Sequence, residues 1–202
     1  MERKIYRNEQ MEKELLDRID ELAAARFGGN VPAPIADRIA VEKRHIFGSG
    51  HGTLLAVAAK LARFSEDRGC PVGFRGLTGN LYLSHLLGLA VVDPMRLGLR
   101  WEGCLGPDGT QAPVFTLNVA GGLLEDMSAY LGELLPGYNP DDERPAIRLC
   151  PHVLMDRVQE HACRPGASRR VPGDVGHRGL LVPLWAVRRL SVLGAHAAAL
   201  SD

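Results

Sequence analysis

Residues 70–89 read CPVGFRGLTGNLYLSHLLGL, which is a short apolar segment, a turn with three glycines and a second apolar segment. The first segment predicts a strand at 70–72, and the second predicts a helix at 81–89. A glycine turn between a strand and a helix N-terminus is typical of phosphate-binding loops, because free backbone N–H groups and the helix dipole favour an anion. Arg75 lies in this turn, where a guanidinium is suited to pair with a phosphate. A tight structural turn with one solvated arginine is the alternative.

The composition predicts one domain with an aliphatic core. The 202 residues are enough for one sizeable domain, alone or with an appendage. They are 46% hydrophobic but only 5% aromatic, which favours a core of Leu, Ala, Val and Ile. Because 24 basic residues balance 24 acidic ones, the overall charge gives no argument for a nucleic-acid partner.

The ends and the cysteines bear on where the protein is located. The N-terminal segment is charged and predicts no signal peptide, and no apolar run is long enough to cross a membrane. Four scattered cysteines, Cys70, Cys104, Cys150 and Cys163, are typical of a chain kept in a reducing compartment. We therefore expect a cytoplasmic protein with no membrane partner.

Hydrophobic periodicity predicts an α/β fold in which helices surround a small sheet. The predicted helices cover 11–26, 35–47, 53–66, 81–89 and 123–135, and a β-branched segment at 113–119 predicts a strand. We expect the strands near Val72 and Phe115 to be neighbours in one sheet. The predicted organisation is a domain at 1–137, a weakly patterned extension at 138–163, and a segment at 164–202. That last segment is an Arg/Gly/Pro-rich linker followed by an apolar C-terminal stretch.

Short motifs in a fixed order resemble the start of the palm region of PolC-type DNA polymerase III alpha subunits, the C-family replicases. The resemblance covers roughly residues 10–137. That family has an Arg-Leu-Glu-x-Glu-Leu helix and an Ile-Ile-Gly-x-Gly turn, matched here by 37–43 (DRIAVEK) and 46–50 (IFGSG). The family's glycine and serine loop matches 72–81 (VGFRGLTGNL), and its Asn-Pro-Leu exit matches 93–95 (DPM). The resemblance implies a nucleotidyltransferase-like palm, with DNA, a deoxynucleoside triphosphate or a replication protein as partner.

The catalytic positions of the resembled family carry different residues here. In the family, the strand Pro-Asp-Ile-Asp-Leu-Asn-Phe uses its two aspartates to hold the catalytic magnesium ions. The matching strand is PVFTLNV (113–119), which has Val114 and Thr116 at the two aspartate positions. Two-metal phosphoryl transfer needs anionic oxygen ligands, which these side chains do not supply. We therefore assign no catalytic residue and expect no metal cofactor.

The loop has lost its serines but keeps its glycines. The residues that retain a phosphate-binding character by this resemblance are Gly73, Arg75, Gly76, Thr78, Gly79 and Asn80. We expect the side chains of Phe74 and Leu77 to fill the space in the loop where a phosphate would bind. Any phosphate binding should then be weak, and the loop mainly structural. The zinc ribbon of the PolC-type family is also absent, because Cys104 is alone between Pro94 and Pro113.

A second metal candidate lies near the C-terminus. Cys150 and His152 mirror His161 and Cys163 in a Cys-x-His and His-x-Cys arrangement, which has the donor atoms of a tetrahedral zinc site. A predicted helix between the two pairs would hold them too far apart for one ion. Ordinary histidines and buried thiols are therefore the favoured interpretation.

Three functions remain open from the sequence. The favoured one is a degenerate palm that binds a nucleotide, DNA or a replication partner without catalysis. The others are an active nucleotidyltransferase fragment that uses carboxylates elsewhere, and a decaying remnant with no selected activity.

Overall fold

Three long helices form the first half of the fold. The computed structural model describes residues 6–70, 72–109, 111–141 and 146–152. The helices are α1 (Glu9–Phe27), α2 (Ala33–Gly48) and α3 (Gly52–Asp67), close to the predicted bounds. Helix α1 begins where the Asn8 side chain accepts a hydrogen bond from the amide of Met11, and it ends at Gly28, whose φ is +60°.

A three-stranded mixed sheet follows the helices. It contains β1 (Gly73–Arg75), β2 (Phe115–Val119) and β3 (Ile147–Pro151), in that spatial order. Strand β1 is antiparallel to β2, which confirms that the segments near Val72 and Phe115 are neighbours. Strand β3 is parallel to β2 and lies within 138–163, where the sequence pattern predicts no strand.

Four short helical segments and one longer helix connect the strands in the described part of the chain. They are a 3₁₀ turn at Leu77–Asn80, α4 (Tyr82–Leu86), α5 (Glu102–Leu105) and a second 3₁₀ turn at Gly121–Leu123, which leads into α6 (Leu124–Leu134). The helix predicted at 81–89 is thus shorter, because the chain turns at Gly88, whose φ is +79°.

The first strand is displaced from its predicted position. It occupies Gly73–Arg75 rather than 70–72, so Gly73 and Arg75 belong to the strand and not to the turn. The aromatic ring of Phe74 explains the shift, since it packs in the sheet with its centroid 6.2 Å from that of Phe115. An aromatic side chain favours a strand position over a tight turn.

One face of the sheet packs against helices α3 and α6. On that face, Phe115, Leu117 and Val119 of β2 are buried, and they alternate with half-buried Thr116 and Asn118 on the other face. None of the described helices is long and apolar enough to cross a membrane. His161, Cys163 and the segment 164–202 lie outside the described residues.

Candidate functional site

The two aspartate positions of the resembled family lie on and beside the central strand. Thr116 is the second residue of β2, and Val114 comes immediately before that strand. The strand register places Thr116 opposite Arg75 of β1 on one side and opposite Arg148 of β3 on the other. Both arginines are exposed, and Thr116 is half-buried. An uncharged residue therefore lies between two cationic ones on the face of the sheet that is opposite α3 and α6.

Arg75, Thr116 and Arg148 form one row across the three strands, and a second row of paired residues lies beside it on the same face of the sheet. Here Asn118 is opposite Gly73 on β1 and Cys150 on β3. The Asn118 side-chain oxygen is buried and has no hydrogen-bond partner within the described part of the chain. A buried amide oxygen without a partner is costly, which marks this row as a place where a donor from water or from a ligand would be stabilised.

The residues of this strand do not fit the two magnesium ions that the resemblance implies. Val114 has no oxygen in its side chain and Thr116 has only a neutral hydroxyl, whereas Mg²⁺ in such sites is held by carboxylates. Across the described ranges, no three His, Cys, Asp or Glu residues lie together in a way that could hold a metal ion.

The helix that follows the glycine turn already holds an anion from the protein itself. The Glu42 side chain is fully buried, and its two oxygens accept hydrogen bonds from the amides of Tyr82 (2.8 Å) and Leu83 (2.9 Å) at the start of α4. The first backbone donors of α4 are therefore used internally. A phosphate at this helix end would have to displace the carboxylate of Glu42.

Arg38 completes this internal arrangement. Its Nε donates to Glu42 Oε1 at 2.5 Å, and its terminal nitrogen donates to the carbonyl oxygens of Asn80 (2.8 Å) and Leu99 (3.1 Å). Burial raises the pKa of the Glu42 carboxyl, while the hydrogen bonds from Arg38, Leu83 and Tyr82 act to lower that pKa. Arg38 and Glu42 together fix the position of the glycine turn against α2.

The predicted phosphate-binding residues lie in two consecutive elements, with Gly73 and Arg75 in β1 and the others in the turn that follows. Gly76 begins the turn with a φ of +95°, a conformation that favours glycine, and Gly79 and Asn80 lie in the 3₁₀ turn. The Thr78 hydroxyl is buried without a partner in the described residues. The set predicted from sequence was Gly73, Arg75, Gly76, Thr78, Gly79 and Asn80, and the one charged side chain in it, that of Arg75, is exposed.

The expectation that Phe74 and Leu77 fill the phosphate-binding space of the glycine turn is wrong. Phe74 packs within the sheet near Phe115, and Leu77 is 57% exposed. Neither side chain lies in the position that the prediction gave it. The turn is instead occupied from the α2 side, by Arg38 and Glu42.

Sequence reasoning missed two features of this site. Arg38 and Glu42 are spaced i and i+4 within the motif 37–43, and Glu42 continues the buried side of α2 formed by Ile39 and Ile46. That periodicity was the available signal for a buried carboxylate. No local sequence pattern indicated Arg148, because its position opposite Thr116 depends on β3, a strand that the sequence pattern did not predict.

The cysteines of the described chain lie in different surroundings. Cys70 and Cys104 are buried, and Cys150 is half-buried on β3. Burial, and to a smaller extent the charge of Glu42, raise the pKa of the Cys104 thiol to about 12. Cys150 is two residues from His152, whose backbone amide donates to the Val119 carbonyl at 2.9 Å. The other half of the predicted zinc set is not among the described residues.

Comparisons with known proteins agree with the motif resemblance. Residues 13–134, more than half of the chain, match the family model described as the bacterial DNA polymerase III alpha NTPase domain. The chain is 27% identical over 99 residues to an error-prone DNA polymerase of Anaeromyxobacter sp. (strain K), covering 49% of this chain and 9% of that protein.

Two PolC-type relatives are similar over a comparable segment. The chain is 29% identical over 92 residues to the DNA polymerase III PolC-type of Mycoplasma genitalium, covering 46% of this chain and 6% of that protein. It is 31% identical over 84 residues to the DNA polymerase III PolC-type of Lactococcus lactis, covering 42% and 5%. The chain therefore spans less than a tenth of the length of these relatives.

Proposed function

Because this chain belongs to the bacterial DNA polymerase III alpha family, we propose that it is a palm-like module of that family that carries out no nucleotidyl transfer. The observation that carries the proposal is the pair Val114 and Thr116 at the positions of the family's metal-binding aspartates. If the chain differed from an active palm only in its surface loops, the two carboxylates on the central strand would still be present. Here the glycine turn and the central strand remain, while the metal ligands on the strand do not.

The charge around Thr116 supports the same conclusion. Divalent metals in phosphoryl transfer need anionic oxygens that bridge the ions and neutralise their charge. Thr116 instead has an arginine opposite it on each neighbouring strand. Two guanidinium groups beside the position would repel a divalent cation, so the strand is unfavourable for Mg²⁺ by charge as well as by ligand type.

The proposed role is to bind a ligand without catalysing a reaction. We propose that the protein does so in the cytoplasm. The names of the similar proteins are those of DNA polymerases, and DNA or a deoxynucleoside triphosphate is therefore the ligand class proposed for this chain. The free thiols of Cys104 and Cys150 accord with a reducing compartment. A replication protein is a further partner within the same proposal.

Primer extension tests the proposal directly. The purified full chain is incubated with a primed template, the four deoxynucleoside triphosphates and either Mg²⁺ or Mn²⁺, with an active DNA polymerase III alpha subunit as positive control. We expect no extension by this chain with either metal. Extension that requires the metal and this protein would overturn the proposal.

Calorimetry tests the metal ligands separately. Mg²⁺ is titrated into the unmodified protein and into the double variant Val114→Asp/Thr116→Asp. We expect no heat of binding from the unmodified protein, because the strand supplies no carboxylate. Tight binding by the unmodified protein that is unchanged in the double variant would place a metal at other residues and contradict the proposal.

A further inference from the structure

We infer that Arg75, Thr116 and Arg148 form a phosphate-binding row on the face of the sheet opposite α3 and α6, and that this row binds without a metal ion. The inference rests on the proposed function, because it assigns phosphate binding to side chains of a strand that holds no divalent cation. It adds a residue, Arg148, that lies beyond the segment matched by the family model.

The register places the three residues side by side on one face of the sheet. Arg75 is the direct antiparallel partner of Thr116, and Arg148 is the parallel partner of Thr116 on the other side. Adjacent strands are about 4.8 Å apart, so the Cα atoms of the two arginines are about 10 Å apart, with Thr116 between them. Arginine side chains are long enough for both guanidinium groups to reach one ligand above Thr116.

Within the described part of the chain, the two arginine side chains also have no carboxylate beside them. Among the residues that the structure describes, four other arginines have a carboxylate within 4 Å, namely Arg18, Arg38, Arg63 and Arg100. Neither Arg75 nor Arg148 has a hydrogen-bond or ion-pair partner among the described residues, and both are exposed. Two like charges on one face of a small sheet repel each other, and an anion between them removes that repulsion.

The chemistry of the row favours a phosphate group. A guanidinium offers parallel N–H donors that match two phosphate oxygens, and the Thr116 hydroxyl adds one further donor between them. A phosphate has enough oxygens to accept from all three residues at once. That phosphate can belong to a DNA strand or to a deoxynucleoside triphosphate, and both sources share this chemistry.

The first test uses a fluorescein-labelled single-stranded oligonucleotide of 20 thymidines as the probe. Its binding to the full chain is followed by fluorescence anisotropy at low salt, with EDTA present so that no metal contributes. We expect Arg75→Gln and Arg148→Gln each to weaken binding at least about tenfold, the loss of one charge-assisted contact. Arg44→Gln is the matched control, because Arg44 is equally exposed and unpaired in the described chain but lies on α2, so a change below about twofold is expected.

Variants at Thr116 separate a built site from general positive charge. Thr116→Asp places a carboxylate between the two arginines and should abolish oligonucleotide binding, since the arginines then pair internally. Thr116→Val removes only the hydroxyl and should weaken binding severalfold. If Arg44→Gln weakens binding as much as the other two arginine variants, or if no binding occurs at low salt, the inference is overturned.

Competition identifies the source of the phosphate. Deoxythymidine triphosphate, inorganic pyrophosphate and the unlabelled oligonucleotide are each added to the labelled complex. Displacement by deoxythymidine triphosphate at concentrations near those of the oligonucleotide assigns the row to a nucleotide, and displacement by the oligonucleotide alone assigns it to DNA. Metal-dependent primer extension would overturn the proposed function whatever these titrations give, whereas binding that does not depend on Arg75 and Arg148 overturns only this inference.

Discussion

Glu42 of α2 caps the start of α4: the backbone amide of Tyr82 donates a hydrogen bond to Glu42 Oε1 at 2.8 Å. The two residues are 40 positions apart in the sequence, so the carboxylate joins two separate elements of the fold. Only Leu81 lies between the 3₁₀ turn at Leu77–Asn80 and Tyr82, so the turn takes its position from α2. Glu12 of α1 acts in the same way at α3, where one of its oxygens accepts from both the amide and the hydroxyl of Thr53. Buried glutamates thus replace local capping residues at two helix starts.

The first prediction concerns Glu42→Gln. This change removes a buried charge and leaves Arg38, only 13% exposed, without its carboxylate. Breaking a buried ion pair by removing one partner destabilises a protein by about 3–5 kcal/mol. We expect a loss of this size in the free energy of unfolding, measured by urea denaturation.

The matched control is Asp67→Asn in α3. Asp67 pairs with Arg63 at the same i,i+4 spacing, but both side chains are more than half exposed. Exposed pairs of this kind contribute about 0.3–0.5 kcal/mol, so this variant should unfold almost like the unmodified protein. Equal effects of the two substitutions would show that Glu42 is not a structural cap.

The elements that sequence reasoning predicted well are those with a local pattern. Helices α1, α2 and α3 repeat apolar residues at helical spacing, and β2 alternates buried and half-buried residues, so each carries its own signal. Strand β3 is different, because its five residues gain their place only by pairing with β2. A short strand that is held by pairing with a distant segment need not show an alternating pattern of apolar and polar residues.

The candidate site was predicted in part for the same reason. The loss of carboxylates at Val114 and Thr116 is readable from the motif alone. The position of Arg75 in a strand, and its alignment with Arg148, depend on a register that no local pattern reports. Glu42 was readable as a helical residue, but its two bonds to α4 arise from tertiary packing.

The second prediction compares two glycines with different surroundings. A Cβ on Gly52, at the start of α3, would lie 2.4 Å from the Cδ1 atom of Phe47. Gly52→Ala should therefore destabilise the protein by about 1–3 kcal/mol, because the ring or the helix must move. Gly132 in α6 has no atom within 4 Å of the same position, so Gly132→Ala should be neutral or stabilising by up to about 1 kcal/mol.

Thermal or urea denaturation of both glycine variants measures this difference. The unmodified protein provides the reference, and circular dichroism checks that both variants retain their helix content. A stabilising effect of Gly52→Ala would mean that Phe47 moves away at no cost, which would contradict the tight packing between α2 and α3.

The third prediction concerns the reactivity of the thiols. Cys104 is 3% exposed, whereas Cys150 is half-buried on β3. In a Cys163→Ser background, we expect iodoacetamide at pH 8 to modify Cys150 first and to leave Cys104 unmodified until the protein unfolds. Peptide mapping by mass spectrometry locates the label. Modification of Cys104 at the same rate as Cys150 in the folded protein would contradict its burial.

The last prediction is the pH dependence of stability that follows from Cys104. Its pKa is raised from 9.0 to about 12 in the folded protein, so between these values the unfolded chain loses a proton that the folded chain keeps. The contribution of this thiol to stability is therefore fully present below pH 9 and is lost as the pH rises towards 12, by at most about 1.4 kcal/mol per pH unit. Cys104→Ala removes this titration while leaving every other group in place, so the free energy of unfolding of the variant should fall less steeply between pH 9 and 11. Urea denaturation of both proteins at several pH values measures the two slopes. Parallel slopes would mean that the Cys104 thiol ionises equally in both states, and the buried position beside Glu42 would then be wrong.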